Sequence, residues 1–192
     1  PAAARPPGRR RLAWLLTLAF TAHLLIYYGL TAWLPLFLQQ AAAMSPTTAG
    51  LAASAFQILA LLGSFGAPAL ARRVALPRLL LVVGLAWALV PPLLVAAPGL
   101  WPLAAVIGGA ATGGGFTVTF LLIQEQAASL DDNRRLSSLV QGIGYSIAAT
   151  GPLLVGALHQ VAGWAAALLP LDLAALAVTG AALALPRPPR RG

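Results

Sequence analysis

Apolar residues run through this chain in six long stretches, residues 12–38, 47–71, 79–97, 101–123, 136–161 and 164–185. Each is near the ~20 residues that a ~30 Å hydrocarbon core demands of a helix. None alternates polar with apolar as a transmembrane β-strand does, so the pattern predicts helices. The third stretch, LLLVVGLAWALVPPLLVAA, carries Pro91 and Pro92 and is expected to kink or shorten there.

Composition turns helices into membrane helices. Hydrophobic residues fill 59% of 192 positions and charged residues 8%, against roughly 25% charged in a soluble domain. A water-facing surface cannot be covered with so few charges, so the fold class is an all-α membrane protein. The absence of cysteine excludes a disulfide framework, a thiolate metal site and a Cys nucleophile.

The formal charge of +8 comes from arginines in four short clusters, not from a basic face that would grip nucleic acid. Arg5, Arg9, Arg10 and Arg11 precede the first stretch; Arg72, Arg73 and Arg78 follow the second; Arg134 and Arg135 follow the fourth; Arg187, Arg190 and Arg191 follow the sixth. The alternate loops, QQAAAMSPT, APGLW and QVAGW, have no basic residue. Six crossings therefore leave every arginine on one side, and the positive-inside rule makes that side, with both termini, cytoplasmic. The reading is a cytoplasmic linker over 1–11, a six-helix unit over 12–185 and a cytoplasmic tail over 186–192. The first stretch is too long, and too plainly followed by others, for a cleaved signal peptide. Because Pro1 is not an initiating methionine, the chain is expected to start inside a linker. Three spans followed by three from the opposite side also fit an inverted-topology pair.

The polar and small residues inside the spans carry the functional reading. In LVQGIGYSIAATGPLLVGAL, Gln141, Tyr145, Ala148 and Pro152 share one helix face, and Gly142, Ser146, Ala149 and Gly156 share another. The first needs a cavity or a helix to face; the second invites close packing. Pro152 invites a bend. In the fourth stretch Gly109 and Gly113 form a GxxxG pair whose face continues to Phe116 and Phe120. The glycine run is not a phosphate cradle, because no strand precedes it and no GK[ST] follows. The first stretch lines up Thr17, Thr21, Tyr28, Thr31 and Pro35, with Trp33 nearer the outer end, and Gln57 stands near the middle of the second. Each of these has an alternative reading as an interhelical hydrogen-bond partner. Asp172 is the acid well inside a span, which marks it as functional by default. His23, His159 and Glu125 lie nearer the ends, where water reaches, and read as structural or snorkelling groups.

The run LSSLVQGIGYSIAATGPLLVGALHQVAGW, with the glycine-rich helix before it and YYGLTAWLP, resembles the carboxy-terminal half of the cyanate/2-nitroimidazole transporter branch of the major facilitator superfamily. The matching positions are Leu136, Ser137, Gln141, Gly144, Tyr145, Ala148, Gly151, Pro152 and Gly156. Two features depart from the family pattern. The loop GAPALARRVALPR lacks the acid of the family's second-to-third-span loop, and Gln126 stands about where relatives tend to carry a basic residue.

The resemblance implies a secondary transporter of a small solute, such as a small anion, working by alternating access, with a six-helix amino-terminal half as partner. Tyr28, Trp33, Gln57, Phe116, Gln141 and Tyr145 are the expected substrate contacts. Gly109, Gly113, Gly142, Pro152 and Gly156 are the expected packing or hinge positions, and Asp172 and Glu125 the candidate coupling acids. The partners are solute, bilayer and the other half, in a bacterial inner membrane; no cofactor, metal or nucleic acid is called for. Two alternatives stand beside this: a six-helix protein that homodimerises into a carrier or channel, and an intramembrane serine hydrolase built on Ser64 and His159.

Overall fold

The computed structural model describes residues 7–186, and Arg5, Arg187, Arg190 and Arg191 lie outside them. Six helices follow in order, α1 (Pro7–Ala41), α2 (Pro46–Ala71), α3 (Leu76–Ala96), α4 (Trp101–Gln126), α5 (Leu130–Ala148) and α6 (Gly151–Ala184), with a 3₁₀ turn at Pro98–Leu100. No strand occurs among the described residues. Five helical runs are long and apolar enough to cross a membrane, the last being 130–184 taken as one. The expected linker residues 7–11 are the first turns of α1. Pro91 and Pro92 do not shorten α3, which runs through both; neighbouring helices make such prolines tolerable in lipid.

The junction of α5 and α6 is a bend rather than an end. Ala149 (φ −59°, ψ −20°) and Thr150 (φ −77°, ψ −15°) stay in the right-handed helical region. Pro152 lies in the first turn of α6, where a missing N–H leaves no ladder bond broken. A true interruption comes at Gly163, whose φ of 75° and ψ of −175° are outside helical space and favour glycine. A Cβ built on Gly29 of α1 would stand 2.9 Å from Leu171 Cδ2 and 3.1 Å from Val155 Cγ2. In a straight helix those two residues would be about 24 Å apart. The α6 chain therefore folds back on itself at Gly163.

The packing follows simple pairs. α1 and the α5–α6 run lie parallel in register: Arg9 meets Asp132, Phe20 meets Tyr145, Trp33 meets Pro152, and Gln40 meets Trp164. α2 and α4 are likewise parallel, with Gly109 against Phe56 and Leu59, and Gly113 against Ala60 and Ser64. The second arm of α6 packs on α3, Thr179 lying against Gly84. These pairings bring Arg9, Arg10, Arg11, Arg72, Arg73, Arg78, Arg134 and Arg135 to one end of the bundle.

That end has its own tie. Arg9 donates to Asp132 Oδ2 at 2.6 Å and to the Gln126 carbonyl at 3.2 Å, joining the start of α1 to the last carbonyl of α4 and the first turn of α5. Ser129 caps α5 by accepting from the Asp132 N–H.

At two glycines the backbones of α2 and α4 come into direct contact. A Cβ on Gly63 or Gly113 would overlap the carbonyl oxygen of Ala110 or Ala60 respectively. In lipid such contact supplies the dispersion energy that hydrophobic transfer does not. Gly142, by contrast, meets nothing within 4 Å and is exposed. Gly113→Leu should cost at least the ~1–3 kcal/mol typical of overpacking, read as a lowered melting temperature in detergent, whereas Gly142→Ala should melt at or above the parent. An unchanged melt for Gly113→Leu would contradict the packing.

Candidate functional site

Aromatic rings and uncharged polar groups collect where α1, α2, α4 and α5 meet. On α1, Phe20 is fully buried and touches three rings edge-on or tilted, Phe116 at 5.7 Å, Phe120 at 5.9 Å and Tyr145 at 5.6 Å between centroids. Phe116 and Phe120, one turn apart on α4, are 4.9 Å apart. Gly144 makes room for this cluster, since a Cβ there would stand 2.6 Å from Phe20 Cδ1. About two turns along α1, Tyr27 and Tyr28 lie 5.3 Å apart, and the Gln57 amide donates to the Tyr27 hydroxyl at 3.2 Å.

Five of the six expected substrate contacts lie on the helices around this junction. Phe116 and Tyr145 are joined through Phe20, and Tyr28 and Gln57 through Tyr27. Gln141 is half-buried one turn before Tyr145. Trp33 stands apart, toward the end opposite the arginines. Its indole N–H donates to the Pro152 carbonyl at 2.8 Å, and its ring lies in the space Gly156 leaves. Gly109 and Gly113 line the α2–α4 contact, and Gly156 the Trp33 contact. Gly142 needs a different account. The face that packs on α1 is Gly144, Ala148, Gly151 and Val155, all buried, whereas Gly142 is about 200° round from Gly144 at 100° per residue. Gly142, Ser146 and Ala149 therefore look outward, and of that small face only Gly156 packs within the chain, against Trp33.

Of the candidate acids, Glu125 is exposed near the arginine end of α4. Asp172 is half-buried on the second arm of α6, with one carboxyl oxygen buried and without a hydrogen bond among the described residues. No cluster of three metal-ligating side chains occurs among the described residues. Ser64 lies beside Gly113 toward the arginine end, while His159 stacks on Trp164 at the other, so the pair envisaged for a hydrolase is separated by most of the bundle.

His23 departs most from its sequence reading. It is 1% exposed near the middle of α1, not at a wet end. Its Nδ1 accepts the Trp87 indole N–H at 3.0 Å, and a Cβ on Gly115 would run into the imidazole. One side chain thereby joins α1, α3 and α4 next to Phe116. An acceptor on Nδ1 places the neutral imidazole's proton on Nε2. The signal was available in the first stretch itself, since residue 23 lies two residues from the midpoint of 12–38.

No family model and no solved structure matches the chain. Among curated proteins it is similar to the "Uncharacterized transporter YycB" of Bacillus subtilis (strain 168), 30% identical over an aligned length of 184 that covers 90% of this chain. The chain spans 43% of that protein's length. His23→Leu should orphan the buried Trp87 N–H and cost ~1–3 kcal/mol, whereas adding Trp87→Phe should recover part of that loss. Additive melting shifts in that double-mutant cycle would contradict the bond. With its apolar helices and this relative, the chain is an integral membrane protein similar to a bacterial transporter.

Proposed function

We propose that the chain is one half of a secondary transporter of the major facilitator type, in the cyanate/2-nitroimidazole branch, that carries a small polar solute by alternating access. The observation that carries this reading is the single region in which α1, α2, α4 and α5 gather Tyr27, Tyr28, Gln57, Phe116 and Tyr145, beside faces the chain itself leaves uncovered. On α2 those faces include Leu51, Ile58, Leu61, Leu62 and Phe65, and on the first arm of α6 Leu153 and Val161. A relative more than twice as long supports a second half as their partner, and favours it over homodimerisation of a six-helix unit.

In this reading the two arms of α6 are separate crossings, making six. The parallel pairs α1 with α5 and α4 with α2 are then equivalent by an inverted three-plus-three arrangement. Gln141, Tyr145, Tyr28 and Gln57 offer hydroxyl and amide hydrogen bonds, the phenylalanines a dry wall, and Trp33 with Pro152 and Gly156 closes the end away from the arginines. Among the described residues no arginine stands at membrane depth, so an anionic cargo takes its positive partner from the other half. Asp172, at membrane depth, is the stronger of the two candidate coupling acids.

Labelled cyanate and 2-nitroimidazole are the probes for uptake into cells carrying the whole protein. Gln141→Ala with Tyr145→Phe should lower affinity about tenfold at unchanged surface expression, as loss of two ~0.5–1.5 kcal/mol hydrogen bonds predicts; unchanged affinity and rate would remove both from the site. Orientation is tested separately. The chain lacks cysteine, so single cysteines at Arg73 and Arg134 should resist an impermeant maleimide added to intact cells, and one at Gly99 should react. Labelling at Arg73 or Arg134 from outside would invert the topology.

A further inference from the structure

The arginines gathered at one end of the bundle are not equally placed. Arg9 donates to Asp132, and Arg134 lies 3.7 Å from Asp131. The turn between α2 and α3 has no such pairing. Arg72, Arg73 and Arg78 are all exposed, and none of them forms an ion pair among the described residues. The cause is in the sequence, which holds four acids and none before Glu125. Two of the four are taken up by Arg9 and Arg134, Asp172 stands on the second arm of α6, and Glu125, near the end of α4, makes no ion pair with the turn.

A cleft of about 660 Å³ opens beside this turn, lined by Phe65, Pro68, Ala69, Leu70, Arg72 and Arg73. Its lining is of two kinds. Phe65 is 75% exposed and Leu70 53%, whereas Arg72 and Arg73 bring two guanidinium groups with no acid to offset them. The depth is set by helix length. α2 has 26 residues, about 39 Å of helix against a hydrocarbon core of ~30 Å. Centred on that core, the helix carries its last turns, from Pro68 onward, at the level of the lipid headgroups.

We propose that this cleft binds an anionic phospholipid from the leaflet at the arginine end, with Arg72 and Arg73 on the phosphate and the acyl chains along Phe65 and Leu70. A guanidinium offers a phosphate two parallel hydrogen bonds, and two neighbouring guanidinium groups repel each other until an anion joins them. The apolar part of the lining selects the occupant. A free phosphate gains nothing from Phe65 or Leu70, and water is better released from them than held. A lipid satisfies both parts, and the bilayer supplies it at that depth. Basic clefts at headgroup level recognise acidic lipids through this combination of charge and apolar surface. Arg78, in the first turn of α3, adds a third positive charge to the same turn. The site stands apart from the proposed solute path and needs no transport to operate.

The test uses the whole protein in mild detergent, with bound lipid counted by native mass spectrometry. Phosphatidylglycerol and phosphatidylcholine with identical acyl chains are the probes, and inorganic phosphate is the free-anion arm. The parent should retain phosphatidylglycerol over phosphatidylcholine. Arg72→Gln with Arg73→Gln should weaken phosphatidylglycerol binding about thirtyfold, two arginines at ~1 kcal/mol each. Arg134→Gln with Arg135→Gln removes the same charge from the same end and should leave binding at the parent level. All four side chains are exposed, so both double variants should melt with the parent. Equal retention of the two lipids by the parent overturns the site whether or not a variant folds, and is the result if an acid of a second half already sits on Arg72 and Arg73. Equal loss in the two double variants overturns it as well. Displacement of phosphatidylglycerol by inorganic phosphate would make the cleft a free-anion site and overturn the lipid assignment.

Discussion

A hydrocarbon core offers a peptide group no hydrogen-bond partner, and this chain is arranged around that constraint. Each apolar stretch closes its own backbone ladder as a helix. The points where the ladder weakens are patched by side chains. At the α5–α6 bend the Ile147 carbonyl accepts from both the Thr150 N–H and hydroxyl, and Trp33 reaches across from α1 to the Pro152 carbonyl. The full reversal, at Gly163, comes at an end of the bundle, where Gln40 and Trp164 supply polar contacts.

Once helices are forced, their association has to come from contact rather than from water. The α2–α4 pair meets backbone to backbone at Gly63 and Gly113, and α1 meets α6 where a Cβ on Gly151 would stand 3.0 Å from the Leu25 carbonyl. Rigid pairs held in this way leave the Phe20 aromatic cluster and the Tyr27–Gln57 bond at a junction of four helices. His23, bonded to Trp87, sets the depth of α1 against α3 and α4 at the same level. In the proposed reading the glycine-packed pairs would move as one body, the lightly polar junction would hold the solute, and the uncovered faces of α2 and α6 would seat the second half.

Helix existence was legible from apolar length, and the clustering of arginines at one end from their spacing, because both depend on local composition. The limits of α2 and α4 came within three residues. The face of α5 that packs was not legible. Gly142 and Gly144 are equally small, and which one meets Phe20 is decided by rotation about the helix axis, which two residues change by about 200°. His23 was misplaced by residue type rather than by position, since the stretch 12–38 already put it within two residues of the midpoint, as α1 over Pro7–Ala41 does. Tyr28, Gln57, Phe116 and Tyr145 were singled out by residue type, helix face and family resemblance, and they lie on the four helices that meet at the junction. Phe20, Phe120 and Tyr27, which join them, were indistinguishable in sequence from ordinary packing residues.

The fold-back of α6 is the feature on which the six-crossing account turns, and a distance across it is the most direct measurement. Leu153 and Leu176 are both exposed, 75% and 60%, and the chain has no native cysteine to interfere with spin labels placed there. Electron–electron double resonance between the two sites should give a distance below about 25 Å, as arms packed ~10 Å apart require. A distance near 35 Å, the length of an uninterrupted helix over that span, would contradict the account.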